Sequence, residues 1–278
     1  MPGRFVLIAM AALVTAGCAQ GRTVVPVRMV PAAASASVET LDLESYEATV
    51  RTVAGVIARD LRLPLPETVM VYVYSSREIF QQGLVVDGQV SRVRAAELSD
   101  FAVGVGKRRQ LLLHHETNVG RGEWVRLVAH ELSHVAQIEL AEGEGRAEQW
   151  LAEGMAEWVA YRVLERLRLD TVVRRRRGAI ETVRDHPAVV RRRLDLDTLG
   201  TPRGFTLRHL REGSHPTYQM AYLLTDYLIA REGFDSVVGY FQMFSKRVDR
   251  HENFVAAFGQ SLDEFEQEAL GHLAKFTN

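Results

Sequence analysis

The sequence predicts an α+β fold, with a small α/β N-terminal lobe carrying a short sheet and a mostly helical C-terminal lobe. β-branched and aromatic runs stop at His115, and beyond it apolar residues recur at threes and fours almost throughout. The 278 residues are 47% hydrophobic and 25% charged, an ordinary globular composition that excludes disorder and collagen-like repeats. Thirty-four basic residues face 35 acidic ones for a net charge of -1, which argues against a nucleic-acid binder. The one cysteine, Cys18, has no partner for an intramolecular disulfide, so the fold is held by its core, a bound metal, or both.

Between Leu41 and Leu63, the positions Leu43, Tyr46, Val50, Val53, Ile57 and Leu61 define an amphipathic helix that Pro64 and Pro66 end. Thr68 to Tyr74 reads as a strand, and Ser75-Ser76 supplies a cap for a short helix reaching about Gly83. Phe101 to Val105 and Gln110 to His115, joined by Gly106-Lys107-Arg108-Arg109, read as a hairpin or two neighbouring strands. Helices follow near Glu123–Leu140, Ala147–Arg168, Thr171–Arg184, Tyr218–Arg231, Phe234–Val248 and Ser261–Phe276. The last opens with Ser261 and Glu264, a capping box. Pro187 to Pro216 is the least regular section, and no internal repeat is visible.

The first residues read as an export signal. Arg4 precedes an apolar run, Phe5 to Val14, too short to span a bilayer, and Thr15-Ala16-Gly17 are small. This triplet ending at Cys18 resembles the lipobox of bacterial lipoproteins, with Thr15 where Leu is usual. The resemblance implies that residues 1–17 are a signal peptide and that Cys18 is acylated and tethers the protein to a membrane. Residues 18–40 would then be the anchored cysteine and a Pro- and Ala-containing flexible linker outside the fold. An ordinary secretory signal is the alternative, and it also exports the chain. Ala19 and Gln20 supply no Asp after the cysteine, which in lipoproteins of double-membraned bacteria implies the periplasmic face of the outer membrane.

The chemistry concentrates at His130-Glu131-Leu132-Ser133-His134, inside an apolar-periodic helical segment. At 3.6 residues per turn the two histidines stack one turn apart, so both imidazoles can converge on one ion. A zinc catalytic site uses three protein ligands and leaves a position for water, and two His with one Glu is a known combination. The best third ligand is Glu153, in Trp150-Leu151-Ala152-Glu153-Gly154. Eighteen residues separate it from His134, enough to turn through Gly143 and Gly145 and return antiparallel. A three-histidine extension fails, because Gln137 and Leu140 stand where Gly and His are needed. Glu157, four residues past Glu153, shares its helix face and could orient a ligand imidazole; a plain solvated glutamate is the alternative.

On these residues the chain resembles the gluzincin zinc metallopeptidases, in particular their peptidase MA-like branch, with the domain covering residues 41–278 (41–116 the α/β lobe, 117–278 the helical lobe). The resemblance implies a zincin-like active-site helix between the lobes, with zinc (Zn2+) held by His130, His134 and Glu153, Glu131 as general base, and a downstream Tyr or His stabilising the oxyanion. Tyr218 stands 65 residues past Glu153, near the family's interval, with Tyr222, His215 and His209 as rivals. No Gly-x-Met-Glu-Asn-like strand is present, so aminopeptidase specificity gains no support. The expectation is an exported, lipid-anchored peptidase of the bacterial cell envelope acting on peptides or proteins, with Gln110 to His115 a candidate edge strand for backbone pairing. The alternative is an envelope lipoprotein that uses a catalytically silent peptidase-like domain as a binding or scaffold module.

Other features favour structural readings. Trp150 and Trp158 are expected to pack helices. His114-His115-Glu116 reads as a strand end in preference to a second metal site. The runs Arg174 to Arg177 and Arg191 to Arg193 read as solvated faces before lipid contacts, since Glu181, Asp185, Asp195 and Asp197 lie nearby.

Overall fold

The computed structural model describes residues 21–29, 43–115, 120–143, 147–247 and 249–276. The signal segment, Cys18, Glu116 and Gly145 lie outside the described residues. Strands β1 (Arg22–Arg28), β2 (Thr68–Tyr74), β3 (Gly104–Lys107) and β4 (Gln110–His114) form one sheet in the order β1-β2-β4-β3. β2 and β4 run parallel and the outer strands pair antiparallel to them.

Because the two central strands are buried on both faces, they read in sequence as nearly unbroken apolar runs. Val69, Val71, Val73, Leu111 and Leu113 point into the main core, whereas Tyr74 and Leu112 join a smaller one with Phe80, Leu84 and Ala95. Helix α1 (Tyr46–Asp60) covers the first face, while α2 (Arg77–Val86) and α3 (Arg92–Phe101) cover the second and make up most of the connection that a parallel pair requires. Ser45, Ser76 and Ser91 cap these three helices by accepting a backbone N–H of the first turn.

Three expectations for this lobe are corrected. Residues 22–28, assigned to the flexible linker, form β1, with Val27 fully buried; Pro26 is tolerated because β1 is an edge strand. Phe101 ends a helix instead of opening a strand. Helix α3 is barely amphipathic, with Val93 exposed, so periodicity conceals it. Gln110 to His115 is not an edge: β4 sits between β2 and β3, and the edge strand beside it is β3, with β1 at the opposite edge.

The rear lobe is helical: α4 (Arg121–Leu140), α5 (Gln149–Arg166), α6 (Val172–Val183), α7 (Pro187–Val190), α8 (Leu196–Leu199), α9 (Pro202–Glu212), α10 (Ser214–Glu232), α11 (Phe234–Met243), α12 (Arg250–Phe258) and α13 (Leu262–Leu273), with a 3-10 turn at Ala274–Phe276. Both halves of the Ser261/Glu264 capping box are present. The irregular section holds α7, α8 and α9, since Pro187 and Pro202 occupy first-turn positions, where proline starts a helix instead of breaking one. Trp150 stacks on Phe265 at 5.5 Å and Trp158 on Phe234 at 4.7 Å, so both pack helices. Arg175 bridges Glu123 and Asp170, Arg174 pairs with Asp170, and Arg176 with Asp226. Among the described residues no helix is long and apolar enough to cross a membrane.

Helix α5 lies between α4 and α10, and the tightest point of that sandwich is Gly154. A Cβ there would fall well inside contact distance of Thr225 Oγ1 and of the Ala221 carbonyl oxygen. Alanine at this position gains about 1 kcal/mol of helix propensity but overpacks against backbone that cannot rotate away, at about 1–3 kcal/mol. Gly154→Ala is therefore expected to lower the urea midpoint, and an increase would show that α10 yields freely.

Candidate metal centre

Helix α4 is buried almost all round: Val125, Val128, Leu132, Val135 and Ala136 are fully enclosed, which fixes its rotation and turns His130, Glu131 and His134 towards the cleft below β3. α5 presents Glu153 from the opposite side. His130 Nε2 lies 3.2 Å from Glu153 Oε2 and 3.2 Å from His134 Nε2, and His134 Nε2 lies 3.4 Å from Glu153 Oε2. Among the described residues, these three form the group that could share a metal ion.

The donor set fits zinc. Ligand atoms about 2.0–2.1 Å from a tetrahedral ion stand about 3.4 Å apart, close to the separations of this triangle. Hydrogen bonds alone explain it poorly, because three lone-pair acceptors point at one another and each neutral imidazole has one proton to give. The electrostatics carry the same tension. Burial lowers the basicity of His130, but the bonds and charges of Glu153 and Glu157 outweigh it and raise the imidazole to about 10. His134 is raised too, as the charge of Glu153 and its hydrogen bond exceed the cost of burial. Glu153, although burial opposes its charge, is held well below the ordinary carboxylate range by His134 and His130. The pocket is built for positive charge.

Each side chain of the triangle is held from behind. Glu157, buried and 3.2 Å from His130 Nδ1, accepts a 2.6 Å bond from Arg126 Nη1, and this cation keeps it ionised against the cost of burial. Gln137 Oε1 lies 2.9 Å from His134 Nδ1, and its amide nitrogen donates to the Ala152 carbonyl of α5 at 2.9 Å. Gln149 Nε2 donates to Glu153 Oε1 at 2.8 Å. Arg126, Gln137 and Gln149 are absent from the sequence-based site, although helical spacing held a signal for the two glutamines: Gln137 is three residues past His134 and Gln149 four before Glu153.

Glu131 is the acid in the cleft that does not share the triangle. Its Oε2 accepts the Gly106 N–H at 2.6 Å, and burial raises its pKa while His130 and His134 pull it down. β3 approaches this closely because it carries glycines. A Cβ on Gly104 would stand 2.6 Å from Glu131 Oε1, and one on Gly106 would strike the Glu131 carbonyl oxygen. Tyr218, on α10, lies with its ring 5.9 Å from that of His130, and burial keeps its hydroxyl protonated far above the usual range. His209 packs behind it against Phe101 at 4.3 Å, His215 is exposed beside Thr182, and Tyr222 is buried edge-on to Tyr161. Of the four candidates only Tyr218 makes a ring contact with a histidine of the triangle. His115 bonds Tyr46 and packs on Trp124, and His114 stacks on Phe80, both apart from this group.

Gln137→Ala and Gln149→Ala are each expected to weaken zinc binding by about tenfold or more, read by competition with a chromogenic chelator, because such supports orient ligands. Unchanged affinity in both would reject their supporting role. Among known proteins, no family model, curated protein or solved structure shows a significant match to this chain.

Proposed function

We propose that the chain is a zinc-dependent metallopeptidase, a gluzincin by its ligand pattern, that hydrolyses peptide bonds. The observation that carries this reading is a carboxylate, Glu131, placed beside a His-His-Glu triangle but not spent within it. Zinc held by His130, His134 and Glu153 would supply a bound water with a pKa near 7 and a Lewis acid for a carbonyl oxygen.

The protein's own groups supply the rest. Glu131, held by the Gly106 N–H and made more basic by burial, accepts a proton from the attacking water and passes it to the leaving amine. Tyr218 keeps its hydroxyl proton and faces the cleft, so it can donate to oxygen that becomes negative. In β3, Val105 and Lys107 use their backbone groups on β4, which leaves those of Gly104 and the Gly106 carbonyl on the open side, where an extended peptide can pair. The signal-like residues 1–17 and the lipobox-like setting of Cys18 support a lipid-anchored location at a bacterial cell envelope, with peptides or proteins as substrates.

Glu131→Gln is expected to retain zinc and lose about 10²–10⁴-fold in kcat, while His134→Ala loses both metal and activity; metal content and digestion of a mixed peptide library check the pair. Undiminished hydrolysis in Glu131→Gln would remove the assigned base. No chelator-sensitive cleavage by the native chain would favour a binding module. Saturating zinc at about 100 times its Kd is expected to stabilise the fold by about 2.7 kcal/mol, seen as a higher unfolding midpoint absent in His134→Ala.

A further inference from the structure

We propose that this cleft cuts extended polypeptides at interior bonds beside a bulky apolar side chain, instead of trimming terminal residues; the inference rests on the peptidase reading above. Two cavities, of about 440 and 870 Å³, open from the centre. His130, Glu131, Tyr218 and the Gly104 end of β3 line both of them. They therefore meet beside His130 and Glu131, and a chain held there has room to continue in both directions.

An exopeptidase needs a charge beside the reacting bond to receive a terminus: a carboxylate for an ammonium, or a guanidinium for a carboxylate. Among the described residues, the charges around this centre are engaged. Glu153 belongs to the triangle, and Glu131 takes the Gly106 N–H. Glu157 is held by Arg126, which Glu123 also binds, and Arg175 joins Glu123 to Asp170. On the other side Lys107 donates to the Gly88 carbonyl at 2.6 Å and Arg94 pairs with Glu97 at 3.0 Å. Arg177 and Glu181 on the wall of the larger cavity are both exposed, carry opposite charges and stand one helical turn apart. Apart from this exposed pair of opposite sign, no described charge of the lining is left over to dock a terminus beside the triangle.

The two cavities also differ in chemistry. The smaller is walled by Phe101, Val105, Ile138, Phe205, Phe241 and Phe244 and suits a large apolar side chain. The larger is walled by charges of both signs, with Arg126, Arg174 and Arg175 paired to Glu157, Glu123 and Asp170, and selects neither sign. Burying a Phe or Leu side chain in an apolar site is worth on the order of 10–100-fold in binding, so the smaller cavity sets the preference.

The test uses the zinc-loaded protein, its Glu131→Gln variant, and quenched peptides with a single central Phe among Ser, Ala and Gln, with free or with acetylated and amidated ends. Cleavage is expected beside Phe in both forms, with end-capping changing kcat/KM by less than about fivefold, the ceiling for an exposed charge contact. Replacing Phe by Asp in the substrate is expected to lower kcat/KM at least about tenfold. Thr206→Trp, which narrows the smaller cavity from its half-exposed rim, is expected to reduce the preference for Phe over Ala. Cleavage confined to terminal residues, with capped peptides inert, would overturn interior cleavage, and indifference to Phe→Asp would overturn the apolar preference. Absence of chelator-sensitive hydrolysis of every peptide, capped or free, strikes the peptidase reading itself, so the two failures look different.

Discussion

The antiparallel seating of α5 against α4 is the constraint on which the centre depends. His130 and His134 share a helix face whatever the rest of the chain does, but Glu153 reaches them only because α5 returns beside α4 at close range. Two features hold it there. Gly154 presents no Cβ to Ala221 and Thr225, so α10 presses on α5 from behind, and Gln137 ties the His134 imidazole to the Ala152 carbonyl across the helix pair. Beyond the turn, buried Glu148 begins α5, where the Arg250 guanidinium grips its carboxylate from α12. Support for the ligand geometry therefore extends to the C-terminal helices.

Charge is organised in the same way, by linking buried groups to partners nearer the surface. The line His130–Glu157–Arg126–Glu123–Arg175–Asp170 passes through α4, α5 and α6, alternating in sign where its members are ionised. A lone buried carboxylate such as Glu157 would protonate; paired with Arg126 it stays ionised and beside the imidazole. The same ladder engages Arg126 and Arg175 of the wider cavity, so one set of contacts both supports the His130 imidazole and pairs these two cations with acids.

The sheet contributes through its edge. β3 has backbone groups on its open side because β4 satisfies the others, and its two glycines let Glu131 lie against the strand. A bulkier strand would hold α4 away and widen the space between Glu131 and β3.

Local pattern carried part of this in the sequence. The 3.6-residue spacing set His130 above His134, the β-branched run set β2, the Ser261/Glu264 pair opened α13, and an α+β division followed from where the periodicity changes. Each depends only on residues within a turn or two of one another. What depends on distant partners was not legible. Residues 22–28 are a strand because β2 offers them an edge, and a Pro-containing stretch gives little sign of it. α3 has almost no periodic signal, and Pro187 and Pro202 look alike as breakers or as helix starters. Arg126 and the Gly104/Gly106 pair gain their meaning from contacts 25 or more residues away. Covalent spacing determined which side chains could share a helix face; long-range packing alone decided which faces meet, how closely, and which charges remain free.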